Sequence, residues 1–244
     1  YSSFKFLGTE ENPIIINSPD STGQGVIVMN ANGASLLENV VFENLSAPSQ
    51  SGWELTGAVT FYEAPVSIYN CKFISNRAED ALNIVRSEFT IDKSSFIQAY
   101  SDAFDADFSK GSITNCFFIN SKNDAVDVSG SVVDIQNIFI NAASDKGISL
   151  GENSQINASE VKIQNAEIGI ASKDQSELIG RDIDISDSKI GLAVYQKKSE
   201  FGPGAMTIKG LSMEKVAVPY LVEEQSTLIV NEQIIEANQK NVKE

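Results

Sequence analysis

Residues 80–84 of the chain read DALNI, and the same pattern returns at intervals of 22 residues. The later copies are DAFDA (102–106), DAVDV (124–128), KGISL (146–150), IGIAS (168–172) and IGLAV (190–194). The third and fifth residues of the copies are apolar in eleven of twelve cases, Ser172 being the exception. Alternation with a period of two predicts a β-strand with one buried face. Recurrence at a fixed interval predicts that each strand stacks on its own copy one coil away.

The segments between the copies also have the composition of strands. Residues 131–140 and 154–163 are rich in β-branched residues, and neither carries the apolar spacing of a helix. About three short strands per coil, with Gly, Asn, Asp and Ser at the corners, describe a parallel β-solenoid. Leucine-rich repeats have a similar repeat length, but they need a fixed leucine framework, and the columns here hold Phe, Val and Ile as readily. The predicted fold is an all-β, single-stranded parallel β-helix with about 22 residues per coil.

The repeat extends over most of the chain and predicts one domain, residues 1–244, without a linker. Regular coils are expected over about 57–196, and Gly57 begins an earlier copy shifted by one residue. Residues 197–205 read as an insertion that delays the next copy to about Val218. C-terminal strands and a polar tail account for 217–244. The first residue is Tyr1 rather than Met, which indicates part of a larger polypeptide.

Composition excludes several kinds of chemistry. The chain has no histidine, so it contains no Ser-His-Asp triad, no histidine metal site and no imidazole acid or base. With 33 Asp+Glu against 18 Lys+Arg, its net charge of −15 repels nucleic acid and anionic membranes. The apolar runs are too short to insert into a bilayer, and no organic cofactor is expected. Cys71 and Cys116 lie about two coils apart, too far for a disulfide, and are predicted to be buried or half-buried free thiols.

Together, the columns and the polar corners resemble the right-handed parallel β-helix superfamily, the pectate-lyase-like fold of many polysaccharide lyases, epimerases and glycosidases. Residues 101–107 (SDAFDAD) and 123–128 (NDAVDV) look like the Asp-x-x-Asp turns with which one group of calcium-dependent pectate lyases holds its metal. In that group, a lysine on a neighbouring coil removes the proton next to the uronate carboxylate. This chain has Ser149 at that place and Lys146 three residues earlier. The histidine motifs of the epimerases and polygalacturonases are absent.

Stacking of the repeats is expected to bring acidic residues together. The predicted metal ligands are Asp102, Asp105 and Asp107 on one coil and Asp124 and Asp127 on the next. Carboxylates about 4.8 Å apart repel by about 1 kcal/mol in water and by about 3–4 kcal/mol at an effective dielectric constant of 20. Hard oxygen ligands suit Ca²⁺, which would offset this repulsion. A solvated acidic face without any ligand is the alternative.

Basic residues near these carboxylates have two interpretations. Lys146 and Arg86 are either counter-charges to the aspartates or, in a lyase, the catalytic base. The candidate substrate-binding residues are Lys173 and Tyr195, which are expected to face outward, and Lys197 and Lys198 in the insertion. A solvated loop is the alternative for the two insertion lysines. The column of small residues that runs from Ala103 to Gly191 is expected to leave the outer surface flat, so that an extended chain could lie on it.

The sequence supports two functions. The first is an extracellular carbohydrate-directed domain that binds or processes an acidic polysaccharide, with Ca²⁺ on the aspartates; if it is an enzyme, the reaction is a lyase-type β-elimination. The second is a non-catalytic structural or adhesive module of a larger surface protein. Acidic character and few cysteines favour an extracellular, cell-surface or periplasmic location.

Overall fold

The computed structural model describes residues 2–242, which contain 27 strands and no helix. No segment of this range therefore forms a helix long and apolar enough to cross a membrane. The strands are β1 Lys5–Leu7, β2 Ile14–Asn17, β3 Val26–Met29, β4 Ser35–Glu38, β5 Val40–Glu43, β6 Ser49–Gln50, β7 Trp53–Glu54, β8 Gly57–Tyr62, β9 Val66–Tyr69, β10 Lys72–Ile74, β11 Asp80–Val85, β12 Glu88–Asp92, β13 Ser95–Ile97, β14 Asp102–Asp107, β15 Lys110–Thr114, β16 Phe117–Ser121, β17 Val126–Ser129, β18 Val132–Ala143, β19 Lys146–Gly151, β20 Gln155–Gln164, β21 Ile168–Lys173, β22 Glu177–Ser186, β23 Ile190–Tyr195, β24 Ala205–Glu214, β25 Val218–Val222, β26 Thr227–Val230 and β27 Gln233–Ile235.

The repeated segments form one parallel sheet of nine strands, in the order β25-β23-β21-β19-β17-β14-β11-β8-β3. Asp80 pairs with Asp102, and Phe104 pairs with Val126, so successive strands are offset by 22 residues as predicted. The offset lengthens to 28 residues where Ile190 pairs with Val218 across the insertion. Sixteen of the other strands join a sheet that forms the other two sides of the β-helix, and β6 and β7 form a separate antiparallel pair. The predicted solenoid is confirmed.

The core is filled by stacked columns of apolar side chains. Phe73, Phe96 and Phe118 stack on successive coils with ring centroids 4.7 and 4.8 Å apart, and Phe42 extends the column at 5.2 Å. The inward column of the nine-stranded sheet is completely buried from Val59 to Leu192, including Phe104. Stacked aromatic pairs add stability beyond the burial of their apolar area. This column therefore helps to hold the coils that carry Phe42 to Phe118 in register.

Each coil turns at three corners, where residues adopt positive φ angles that are uncommon for residues other than glycine. These residues form three files: Asn30, Glu63, Arg86, Phe108, Gly130, Glu152 and Asp174 after the nine-stranded sheet; Asn39, Asn70, Lys93, Asn115, Asn137, Glu160, Asp182 and Gly210 at the second corner; and Asn44, Ser75, Gln98, Asn120, Ala142, Asn165, Asp187 and Lys215 at the third. Asparagine, which adopts this conformation more easily than most residues, occurs once in the first file and recurs in the other two.

Serine hydroxyls satisfy buried backbone groups at the first corner. The Ser109 hydroxyl accepts a hydrogen bond from the Ser87 N–H at 3.1 Å, and the Ser131 hydroxyl accepts one from the Ser109 N–H at 2.9 Å. The Ser154 hydroxyl does the same for the Ser131 N–H at 3.1 Å. Because these groups are buried, each bond links a coil to the next one along the axis.

Both cysteines are buried and free, as predicted. Cys71 directly precedes Lys72, and Cys116 directly precedes Phe117. Lys72 and Phe117 pair with Ser95 from opposite sides, so the two cysteines lie two coil spacings apart. Burial raises the pKa of Cys71 to about 11 and that of Cys116 to about 12.

Candidate functional site

The outer surface of the nine-stranded sheet differs from the expected flat floor because the second residue of the central strands is buried against the interior. Ala103 and Ala125 are completely buried. A Cβ atom on Gly147 would lie 2.9 Å from Cγ2 of Ile163, which belongs to the core, and 2.6 Å from the carbonyl oxygen of Gly169. The column of small residues therefore faces the interior, and the expectation that it forms an outer surface is wrong. The first, fourth and sixth residues of each strand face outward instead.

Six aspartates share the outer surface of β11, β14 and the start of the next coil. Asp80 and Asp102 pair in register at the first position, and Asp124 follows on the next coil. Asp105 and Asp127 pair at the fourth position, above Asn83. The acidic face consists of Asp80, Asp102, Asp105, Asp107, Asp124 and Asp127. The structure thus brings the five predicted ligands together and adds Asp80.

Half of the acidic face is removed from solvent. The exposed fractions of Asp80, Asp102 and Asp124 are 2%, 8% and 4%. Asp102 Oδ1 accepts a hydrogen bond of 2.7 Å from the backbone N–H of Asp124. Asp124 Oδ1 accepts one of 2.8 Å from the backbone N–H of Lys146, and Asp105 Oδ2 accepts one of 2.9 Å from Nδ2 of Asn83. Within residues 2–242, Oδ2 of Asp80 is buried and has no hydrogen-bond partner.

Burial and mutual repulsion shift the titration of these carboxyl groups. Burial, together with the charges of neighbouring aspartates, raises the pKa of Asp80 to about 8 and that of Asp102 to about 6. Burial also raises the pKa of Asp124 to about 7, although the charge of Lys146 opposes the shift. The pKa of Asp105 is raised well above its usual value by burial and by four neighbouring aspartates, and burial raises that of Asp107. The acidic face therefore retains protons near neutral pH unless a cation replaces them.

Lys146 and Arg86, the predicted bases, have other partners. Nζ of Lys146 lies 2.5 Å from Oδ2 of Asp145 and 4.0 Å from Oδ1 of Asp124, and its side chain is 5% exposed. Arg86 lies at the first corner, where Nη1 donates a hydrogen bond of 2.7 Å to the Tyr62 hydroxyl. Its guanidinium carbon lies 5.9 Å and 5.8 Å from the ring centroids of Tyr62 and Phe108. These geometries fit a counter-charge and a stacked cation.

The predicted substrate contacts Lys173 and Tyr195 point away from the core, but neither is accessible. Lys173 is 7% exposed, and its Nζ donates a hydrogen bond of 2.9 Å to the Ser149 hydroxyl, one coil beyond Asp127. Tyr195 is 1% exposed because the C-terminal segment folds back over it: Val242 packs against its cluster and donates a backbone hydrogen bond of 3.0 Å to Glu223. The expectation that both residues line an open groove is wrong.

The insertion lysines help to hold their own loop in place. The backbone N–H groups of Lys197 and Lys198 donate hydrogen bonds of 2.7 and 2.8 Å to Oδ1 of Asp174. The ammonium group of Lys198 forms an ion pair with Glu152, which belongs to an earlier coil. The side chains of both lysines remain exposed at this corner.

The donor chemistry of the acidic face fits a hard divalent cation, because it supplies carboxylate oxygens and one of them, on Asp80, is buried without a partner. In the side-chain positions of residues 2–242, however, no group of three or more Asp, Glu or Cys residues is arranged to hold a metal ion. Calcium at the predicted aspartates stays a prediction.

A second feature was not predicted from the sequence. A cleft of about 640 Å³ runs along the third corner and includes Arg77, Tyr100 and Lys122; we call it the corner cleft. These three residues precede Asp80, Asp102 and Asp124 by three, two and two positions. Their spacing of 23 and 22 residues matches the repeat and could have indicated that they stack. They were missed because an arginine, a tyrosine and a lysine do not form a recognisable column of one residue type.

No protein-family model and no curated protein sequence matches the chain. Among solved structures, the alginate lyase from Paenibacillus sp. str. FPU-7 is similar with a TM-score of 0.53 and 11% identity, over 90% of this chain and 86% of that one. Pectate lyase Pel9A gives a TM-score of 0.49 and 13% identity, over 88% of this chain and 64% of that one. The chain thus has the pectate-lyase-like parallel β-helix fold, as the resemblance implied. At these identities the likeness establishes the fold alone.

Proposed function

We propose that this β-helix is an extracellular domain that binds an acidic polysaccharide along its acidic face, with Ca²⁺ between the aspartates and the carboxylates of the sugar. The observation that carries the proposal is the buried, unpartnered carboxylate oxygen of Asp80 among five further aspartates. A buried acceptor without a partner costs about 1–3 kcal/mol, and a bound cation would remove that cost together with the repulsion between coils.

The six aspartates would have two different roles in this site. Asp105, Asp107 and Asp127 are partly exposed and would face the sugar, whereas Asp80, Asp102 and Asp124 would complete the inner side of the site. Calcium would supply charge neutralisation of both the protein and the uronate carboxylates. Asn83, which already donates to Asp105, would orient that carboxylate. The likeness to an alginate lyase, an enzyme named for an acidic polysaccharide, supports this choice of ligand class.

We favour binding over turnover. The Nζ atom of Lys146 lies 2.5 Å from Asp145 and 4.0 Å from Asp124 and is nearly buried, so it serves these carboxylates as a counter-charge and is not presented to a substrate. Arg86 is held at the first corner between the rings of Tyr62 and Phe108, which fits a structural cation rather than a catalytic base. The second function, a non-catalytic structural or adhesive module, is favoured by the same observations, and it requires neither Ca²⁺ nor a sugar ligand.

Calorimetric titration of the metal-free protein with Ca²⁺, followed by polygalacturonate or alginate oligomers, tests the proposal. We expect Ca²⁺ binding with Kd on the order of 10⁻⁴–10⁻³ M, typical of extracellular modules, and sugar binding that requires Ca²⁺. Asp80→Asn and Asp105→Asn should each weaken Ca²⁺ binding at least about tenfold. Asp134→Asn, which changes an exposed strand aspartate on another side of the β-helix, is the matched control.

Two results would separate the alternatives. If Ca²⁺ releases no heat, changes no melting temperature and induces no sugar binding, the proposal is wrong and the structural module remains. An increase in absorbance near 235 nm on incubation with a polyuronate and Ca²⁺ would show β-elimination, and our preference for binding over turnover would then be wrong.

A further inference from the structure

The corner cleft runs parallel to the axis of the β-helix. Its floor consists of residues with positive φ at the third corner of successive coils, which hold the backbone in a tight turn: Asn44, Ser75, Gln98, Asn120 and Ala142. Five coils correspond to four spacings of about 4.8 Å, so the cleft is about 19 Å long. This length suits an extended oligomer of several units rather than one small molecule.

The corner cleft carries positive charge, whereas the acidic face carries carboxyl groups. Arg77 and Lys122 are exposed cations in the cleft, and no Asp or Glu lines it. Neither cation forms an ion pair within residues 2–242. The neighbouring cleft, of about 670 Å³, shares Arg77 but also contains Glu54 and Glu79. In a chain with a net charge of −15, a cleft with two unpaired cations and no carboxylate is unusual.

An aromatic ring lies between the two cations. Tyr100 is 60% exposed, and Nζ of Lys122 lies 5.5 Å from the centroid of its ring. Arg77, Tyr100 and Lys122 occupy equivalent positions on three coils, because the Tyr100 N–H bonds the carbonyl of Asn76 and the Lys122 N–H bonds that of Ala99. The two cations are therefore about two coil spacings, or about 10 Å, apart along the axis.

We infer that the corner cleft is a metal-independent binding site for an anionic oligosaccharide. Arg77 and Lys122 pair with two acidic groups, carboxylate or sulfate, on different sugars of one chain, because charge-assisted hydrogen bonds are the strongest available at a wet surface. The exposed face of the Tyr100 ring packs against a sugar ring between them. The side-chain amides of Asn44, Gln98 and Asn120 and the cleft serines bind hydroxyl groups.

This inference goes beyond the proposed function, because the site lies on a corner rather than on the sheet and needs no cation. Its test is binding of oligosaccharides in 1 mM EGTA, measured by calorimetry. The ligands are a hexamer of galacturonate, a sulfated oligosaccharide of similar length and a neutral hexamer. We expect the wild type to bind an acidic oligomer and to bind the neutral one at least about tenfold more weakly.

Four variants at three positions assign the binding to the cleft. Arg77→Ala and Lys122→Ala should each weaken binding of the acidic oligomer in EGTA about tenfold or more, and Tyr100→Ala should also weaken it, whereas Tyr100→Phe should retain it. Lys162→Ala is the matched control, because Lys162 is an exposed lysine on a strand of the other sheet. All four positions are exposed, so unchanged melting temperatures are expected and exclude misfolding.

The outcomes distinguish this site from the acidic face. Calcium-dependent binding should survive Arg77→Ala and Lys122→Ala, and binding in EGTA should survive Asp105→Asn. Preference for the carboxylated or the sulfated oligomer identifies the acidic group. Absence of binding to both acidic oligomers in EGTA, equal binding of the neutral hexamer, or variants that bind like the wild type would each overturn the inference.

Discussion

Replacement of Asp80 by asparagine is expected to stabilise the protein at alkaline pH. Folding raises the pKa of Asp80 from 3.8 to about 8, mainly through burial, so the folded state binds more protons than the unfolded chain between these values. Stability from this group is therefore complete below about pH 4 and is lost as the pH rises towards 8. Asp124 and Asp102, with pKa values raised to about 7 and about 6, add to the same trend.

The size of the effect follows from linkage. One pH unit corresponds to about 1.4 kcal/mol per proton, so Asp80 alone lowers the free energy of unfolding by roughly 4 kcal/mol between pH 5 and pH 8. The chain has no histidine, so no imidazole titration overlaps this interval. In Asp80→Asn the amide carries no charge, and the slope of stability against pH should fall by up to about 1.4 kcal/mol per pH unit.

Urea denaturation followed by circular dichroism, at pH 5, 6, 7 and 8 in EGTA, measures this slope. Asp134→Asn is the control and should retain the slope of the wild type. Addition of 10 mM Ca²⁺ at pH 8 should restore part of the lost stability of the wild type and less of that of Asp80→Asn. The reasoning fails if wild-type stability in EGTA is constant or rises from pH 5 to pH 8, or if Asp80→Asn follows the wild-type slope.

Three further predictions concern the β-helix itself. Gly147→Ala should lower the free energy of unfolding by about 1–3 kcal/mol, because the new Cβ would lie 2.6 Å from the Gly169 carbonyl oxygen. Gly33→Ala is the control and should change the free energy of unfolding little, because the nearest atom to its new Cβ lies at 3.8 Å. Urea titration of both variants measures the difference. Phe96→Ala interrupts the aromatic column and should cost about 3–5 kcal/mol in the same assay, and a cost below 1 kcal/mol would contradict the stacked core. Cys71 and Cys116 should react with a thiol reagent only after denaturation, and two thiols per chain should then be labelled. Fast labelling of the native protein would show that the thiols are accessible and would contradict this prediction.

The register of the central coils could be predicted from the sequence because buried and outward positions alternate at a constant interval. Phe104 lies in the core and Asp105 on the outer surface, as the alternation requires. The orientation of Ala103 could not be obtained in this way. Ala103 and Phe104 are consecutive residues and both are completely buried, which a pattern with a period of two does not predict.

Side-chain partners across the fold were harder to predict than the fold. The burial of Tyr195 depends on Val242, 47 positions later, which no local pattern connects to it. The hydrogen bond from Lys173 to Ser149 joins two coils and requires a long side chain to point back along the axis. Asp80 did belong to the repeat column, and its part in the acidic face followed once its pairing with Asp102 was known.

Strand β27 has a consequence for how the molecule behaves in solution. It pairs antiparallel with β26, so that Leu228 lies opposite Ile235 and Val230 lies opposite Gln233. It therefore lies beside β26 where the next parallel coil of a longer stack would lie. A stack of identical rungs otherwise offers an open hydrogen-bonding edge on which a second molecule can continue the sheet, the route by which β-rich proteins form fibres. At this end of the 16-stranded sheet the edge is formed by the reversed strand β27, so a coil of a second molecule would not meet the parallel strand direction that it meets inside the stack.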